Sequence, residues 1–137
     1  MSSSRELLFN LTHLAGQITK RLDTNLGVHG ISFSEYQVLH HLSDSPESML
    51  PRVELARRVG LTASGVTRML APMEKIGLVQ KEANPRDARM SLVKLSTAGE
   101  AMYQDATVTV DSVASGMVDA FTKEQVQALR SMAVHGV

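Results

Sequence analysis

The run from Val53 to Leu95 constrains the fold more than any other part of the chain. It opens with Val53-Glu54-Leu55-Ala56-Arg57-Arg58-Val59-Gly60 and continues with Leu61-Thr62-Ala63-Ser64-Gly65-Val66-Thr67-Arg68. It then reaches Glu74-Lys75-Ile76-Gly77-Leu78-Val79, ahead of a basic loop, Asn84-Pro85-Arg86-Asp87-Ala88-Arg89. Leu55 and Ala56 give the first segment an apolar face small enough for a second helix to cross closely. Gly60 supplies the turn, and Leu61 and Val66 complete a miniature core. Thr62 suits the N-cap of a helix over about 63–75. Leu78 to Glu82 and Ser91 to Leu95 have strand composition, and Asn84-Pro85-Arg86-Asp87 between them is turn chemistry. Helix, tight turn, helix, strand, charged turn, strand is the order of a winged helix-turn-helix. The expected fold is mainly α with a small β-hairpin wing.

The flanks read as helices. Leu7, Leu8, Leu11, Leu14, Ala15, Ile18, Leu22 and Leu26 recur at three- and four-residue steps, the mark of one face of a long helix over about 5–26. Gly27 and Gly30 end it. Ser34-x-x-Gln37 is a capping box that opens a helix to about Leu42. Asp44 to Ser48 is a turn, Met49-Leu50 suits a short strand, and Pro51 suits the first position of a helix over about 52–58. Thr97-x-x-Glu100 is a second capping box, with Ser96 as the alternative cap. Ala98, Met102, Ala106, Thr109, Val113, Met117 and Phe121 keep a helical step after it, with the β-branched run Thr107 to Val110 as its weak point. Thr122-x-x-Gln125 opens a last helix carrying Val126, Leu129, Met132 and Ala133.

Charge separates the centre from the ends. The chain has 14 basic and 14 acidic residues. Nine bases and four acids fall between Pro51 and Leu95, a net +5, which leaves five bases against ten acids, a net −5, elsewhere. A basic centre between acidic ends is the pattern of a nucleic-acid reader with a separate assembly region. There is no cysteine, which removes disulfides and thiolate ligands together. The amphipathic start argues against a signal peptide, and no run approaches the ~20 apolar residues of a membrane span. The expected location is the cytoplasm.

In such a fold the second helix of the pair presents Ser64, Thr67 and Arg68, with Ala63, near its N-terminal end. There they can reach base edges and phosphates in a major groove. Arginine is bidentate to guanine, and Ser or Thr bonds either way. Gly65 permits close backbone approach. In the loop, an acid two residues before an arginine can hold the guanidinium and aim it, so Asp87 would direct Arg89 toward a narrow, negative minor groove. Arg86 is a second phosphate contact in this reading. The alternative for the loop is a solvated tip whose ion pair is worth ~0–1 kcal/mol. Pro72 removes the amide that would bond the Arg68 carbonyl. It predicts a bend late in the helix, or else serves only core packing.

Glu54-Leu55-Ala56, the run Leu61 to Arg68, Glu74 to Val79, Asp87-x-Arg89 and Leu95-Ser96 resemble the MarR family of transcription regulators, and the likeness extends over nearly the whole chain. The resemblance implies a homodimeric repressor, less often an activator, that a small ligand releases from double-stranded operator DNA. It also implies that Arg89 is the wing's DNA contact. Ala88 departs from the charged residue frequent at that place, which implies a weaker grip.

The wide apolar faces of the ends mark a partner surface. Three regions are expected: an N-terminal dimerisation helix (1–30), a winged helix-turn-helix DNA-binding lobe (31–96) and C-terminal dimerisation helices (97–137). Two-fold pairing sets the reading helices about one DNA turn, ~34 Å, apart, so the operator should be a pseudo-palindrome. Effectors in the family often bind between the dimer helices and the DNA-binding lobe. Here His13, Gln17, Tyr36 and His40 are candidates for such a crevice, with a weak aromatic acid or a phenol as the ligand. The five histidines have no ligand spacing on one helix, so neither metal nor other cofactor is expected. No paired acid/base constellation, phosphate loop or nucleophile elbow points to an enzyme. The competing reading is a winged-helix protein-interaction module, in which the basic face is dispensable.

Overall fold

A computed structural model describes residues 3–136, so Met1, Ser2 and Val137 of the expected end regions lie outside the described residues. The elements in chain order are α1 (Ser3–Leu26), α2 (Phe33–Ser43), β1 (Met49–Pro51), α3 (Arg52–Val59), α4 (Ala63–Lys75), β2 (Val79–Ala83), β3 (Ser91–Leu95), α5 (Thr97–Val118) and α6 (Lys123–His135). A single 3-10 turn, Gly27–His29, follows α1, and Gly30 leaves it at φ 75°.

The helices start at capping residues, some of them shifted from the expected positions. The box that opens α2 is Ser32 with Glu35, not Ser34 with Gln37: Ser32 Oγ accepts from the Glu35 amide and Glu35 Oε1 accepts from the Ser32 amide. Ile31 and Tyr36 stand at the flanking positions of a hydrophobic staple, and both are buried in the same core. Asp23 Oδ1 then accepts from the Phe33 amide and ties the new helix to α1. Pro51 closes β1 and is the N-cap residue of α3 rather than its first helical residue. Ser96, not Thr97, caps α5, while Thr122 and Gln125 form the expected box on α6.

The sheet is antiparallel in the order β1-β3-β2. Leu50 pairs with Val93, and Val79 pairs with Leu95. The period of two along β3 sends Val93 and Leu95 inward. There they join Leu26, Leu39, Leu42, Leu55, Val66, Leu70 and Met73 in one core. Each fully buried leucine contributes about 1.5–3 kcal/mol of transfer free energy, so this cluster is what holds α2, α3, α4 and the sheet together.

α4 is continuous from Ala63 to Lys75 with Pro72 inside it. Pro72 is solvent-exposed, so it does not fill the core. α5 also runs unbroken through Thr107 to Val110. Low propensity there is offset by tertiary bonds: Thr107 Oγ1 meets the Tyr36 hydroxyl at 2.8 Å, and Thr109 Oγ1 meets His29 Nε2 at 2.7 Å. On the inner face of α5 it is Gly99 that is buried, while Ala98 is exposed. A Cβ at Gly99 would stand 2.1 Å from the Leu78 carbonyl oxygen and 2.5 Å from Leu95 Cδ1, so only glycine lets α5 lie against the base of the wing.

The terminal helices are largely uncovered. On α1 only Leu22 and Leu26 are buried, while Leu7, Leu8 and Phe9 are 58 %, 63 % and 67 % exposed. No residue of α6 is buried. Among the described residues, no helix is long and apolar enough to cross a membrane, and no group of three or more His, Asp or Glu could hold a metal.

Candidate nucleic-acid interface

The N-terminal end of α4 begins with a cap. Thr62 Oγ1 accepts from the Gly65 amide at 3.0 Å. A Cβ at Gly65 would stand 3.1 Å from that oxygen, so the glycine also makes room for the cap itself. Ser64 is exposed, with its Oγ 3.3 Å from Thr62 Oγ1. Thr67 and Arg68 are exposed one turn further on. The Arg68 side chain has no hydrogen-bond or ion-pair partner among the described residues, so it is free to engage a ligand.

The wing tip is built from two Asx turns. Asn84 Oδ1 accepts from the Arg86 amide at 2.9 Å, and Asp87 Oδ1 accepts from the Arg89 amide at 3.0 Å. The guanidinium contact, Arg89 Nε to Asp87 Oδ1, is longer at 3.4 Å, and the Arg89 side chain is 92 % exposed. Asp87 therefore orders the loop chiefly through backbone, and Arg89 projects from it. The Arg86 side chain is exposed at the same tip.

Other cations of the basic centre are already engaged. Glu54 accepts from Arg57 and from Arg58 Nε at 3.0 Å. These hydrogen bonds hold its carboxyl at about 2 and push the Arg57 guanidinium up in turn. Arg52 is the most enclosed of the paired arginines, its side chain 16 % exposed. It reaches Thr67 on α4 and Ser91 on β3, at 3.1 and 3.2 Å. In the sequence Arg52 stands out only as one charge of the basic centre. Its partners lie 15 and 39 residues away, so no local spacing announces them.

The four ligand candidates do not form one site within the chain. Tyr36 and His40 line a crevice of about 470 Å³ between α2 and α5, together with Phe33, Tyr103, Thr107 and Asp111. Gln17 lines a different groove, against Met117 and Phe121 of the C-terminal half. His13 is exposed on α1. Tyr103 and Thr107, which the sequence reading did not single out, complete the first crevice. They are one turn apart on α5, and that spacing was the available signal. His40 Nδ1 bonds the Tyr103 hydroxyl, and the Tyr36 and Tyr103 rings pack at 5.4 Å. Burial pushes the Tyr36 hydroxyl up, which keeps it neutral, and burial with the adjoining His40 and Arg58 pushes the His41 imidazole down.

The chain is similar to known transcriptional regulators. The family model described as MarR family matches residues 29–90, from the turn after α1 to the end of the wing loop. The HTH-type transcriptional repressor YetL of Bacillus subtilis (strain 168) is 23 % identical over 124 residues, 90 % of this chain and 74 % of YetL. The HTH-type transcriptional regulator PrsX of Escherichia coli is 28 % identical over 102 residues, 72 % of this chain and 61 % of PrsX. Among solved structures, Sco3205, a MarR family transcriptional regulator from Streptomyces coelicolor in complex with DNA, superposes with a TM-score of 0.86 at 27 % identity, over 97 % of this chain and 85 % of that one. Residues 29–90 thus match the MarR family, and the fold as a whole, wing and flanking helices included, is similar to that of MarR family transcriptional regulators.

Proposed function

We propose that the chain is a homodimeric repressor that binds a pseudo-palindromic double-stranded operator. α4 enters the major groove with Ser64, Gly65, Thr67 and Arg68, and the wing, residues 84–89, reaches the minor groove with Arg89, supported by Arg86 and ordered by Asp87. The observation that carries this reading is the closeness of the wing base to α4. Arg89 and Ser91 border the same crevice as Arg52, and Arg52 touches Thr67, so the wing base and the reading helix adjoin. That Sco3205 is a regulator crystallised with DNA supports the same use of the shared fold. The exposed apolar residues of α1 and α6 support pairing of two copies through the ends. A reader of chromosomal DNA works where that DNA lies, which for this protein is the cytoplasm.

The crevice bearing Tyr36 and His40 is the proposed effector site, for a weak aromatic acid or a phenol. Its three aromatic side chains suit a flat ring, and its hydroxyl and imidazole groups suit one polar substituent. Such a ligand regulates only if it binds the DNA-ready and DNA-unready dimers with different affinity.

The deciding experiment is selection of bound sequences from a random duplex pool at physiological salt, with wild type and Arg89→Ala in parallel. A symmetric motif with half-sites about one turn apart is expected. Binding no stronger than the nonspecific ~10⁻⁴–10⁻⁶ M range, with no enrichment, would instead favour a protein-interaction module.

A further inference from the structure

Two hydrogen bonds, from Arg52 and to Ala63, limit what the Thr67 hydroxyl can offer a base. The Arg52 guanidinium lies at the junction of three elements. Nη1 donates to Thr67 Oγ1 at 3.1 Å on α4, Nε donates to Ser91 Oγ at 3.2 Å on β3, and Nη2 lies 3.7 Å from Glu74 Oε1 near the end of α4. Thr67 Oγ1 makes a second bond, 3.0 Å to the Ala63 carbonyl oxygen. The direction of each bond is forced. A guanidinium has no lone pair to offer, and a carbonyl has no proton. The single hydroxyl proton of Thr67 therefore points at Ala63, and one of its two lone pairs points at Arg52. What remains on this exposed side chain is one lone pair and the methyl group.

A free threonine hydroxyl can either donate to or accept from a base edge. We propose that Arg52 is a positioning residue that fixes the Thr67 hydroxyl as an acceptor, so that Thr67 selects a base presenting an amino group in the major groove. Those bases are adenine, through N6, and cytosine, through N4. Guanine offers N7 and O6, and thymine offers O4, all acceptors that would meet a lone pair. The bond to Ser91 adds a second consequence. The guanidinium that sets the polarity of Thr67 is held by the wing strand, so recognition helix and wing share one anchor. This inference rests on the proposed DNA-binding function and says what one residue of that interface reads.

The test measures binding to the selected operator and to all four bases at each position under α4, at fixed salt. The proteins are wild type, Thr67→Val, Thr67→Ser and Arg52→Met. Thr67→Val identifies the base pair that Thr67 faces, as the position where discrimination is lost. There, wild type and Thr67→Ser should prefer the pair with its adenine N6 or cytosine N4 amino group over the same pair with that group deleted (purine for adenine, pyrimidin-2-one for cytosine) by about fivefold, the size of one net hydrogen bond. Arg52→Met should flatten that preference and leave the other positions unchanged. Thermal unfolding without DNA checks that Arg52→Met is folded. If it is not, the wild-type base preference at the Thr67 position decides alone.

Equal wild-type affinity with and without that amino group overturns the proposal. So does an Arg52→Met variant that loses affinity equally on every sequence with a salt slope lower by about one, since that marks a phosphate contact. An operator with no position sensitive to Thr67→Val overturns it while leaving DNA reading intact, whereas wild type with no sequence preference anywhere removes both.

Discussion

His40 Nδ1 lies 2.7 Å from the Tyr103 hydroxyl, a bond that joins α2 of the reading lobe to α5. A second bond, Tyr36 to Thr107, crosses the same gap at 2.8 Å. Both polar pairs that close this gap are thus also walls of the proposed effector crevice, and a ligand that bonds to either must compete with the contact between lobe and helix.

Tyr103→Phe separates these roles. It keeps the ring and deletes the hydroxyl, so stability should fall by about 1 kcal/mol or less in urea unfolding, since His40 is exposed. Operator affinity without ligand should stay near wild type. If benzoate or phenol weakens operator binding in wild type, that effect should shrink in Tyr103→Phe. An undiminished response would take Tyr103 out of the effector site.

The wing separates charge from loop order. Arg89→Ala should weaken binding on all sequences and lower the salt slope by about one unit. Asp87→Asn keeps an oxygen to accept the Arg89 amide and should retain most affinity, whereas Asp87→Ala loses the turn and should not. Equal losses for Asn and Ala at position 87 would mean that the carboxylate charge, not the Asx turn, is what matters.

Gly99→Ala places a Cβ against the Leu78 carbonyl and should destabilise the protein by about 1–3 kcal/mol, as overpacking does. Gly16→Ala is the contrast. It lies within α1 with nothing inside 4 Å, so in one isolated chain it should stabilise by about 0.4–1 kcal/mol. A loss at Gly16, read in denaturant unfolding at several protein concentrations, would show that a second copy packs there.

Glu54 gives a pH signature. Arg57 and Arg58 lower its carboxyl from 4.5 to about 2 in the fold. A depressed acid stabilises fully above its ordinary value and loses that contribution as pH falls from about 4.5 through 2. Wild type should therefore exceed Glu54→Gln in melting temperature near neutral pH, and the gap should close below pH 4.5. A gap that is constant down to pH 2 would place the effect elsewhere.

The cap at Thr62, the box at Thr122 and the turn at Asn84 are legible in the sequence because each depends on residues within four positions. Ser32-x-x-Glu35 and Ser34-x-x-Gln37 overlap and both satisfy the capping pattern. The choice falls to the local pair Ile31 and Tyr36 and to Asp23, which only the packed structure brings to the helix start. Arg52 and Gly99 were illegible for the same reason at longer range. One is defined by Thr67 and Ser91, the other by the Leu78 carbonyl. The exposed half of α1 read as apolar periodicity, but periodicity alone does not say whether the cover comes from the same chain.

The Ser96 hydroxyl spans the carbonyls of Gly77 and Leu78, and Gly99 seats the first turn of α5 against the same backbone. That makes α5 a lever welded at one end to the reading head. Its 22 residues extend about 33 Å. A swing of about 5° at the weld therefore carries the far end through about 3 Å, roughly one base-pair rise. In the proposed homodimer, small angular changes where the two copies meet would be geared directly into the spacing of the two α4 helices.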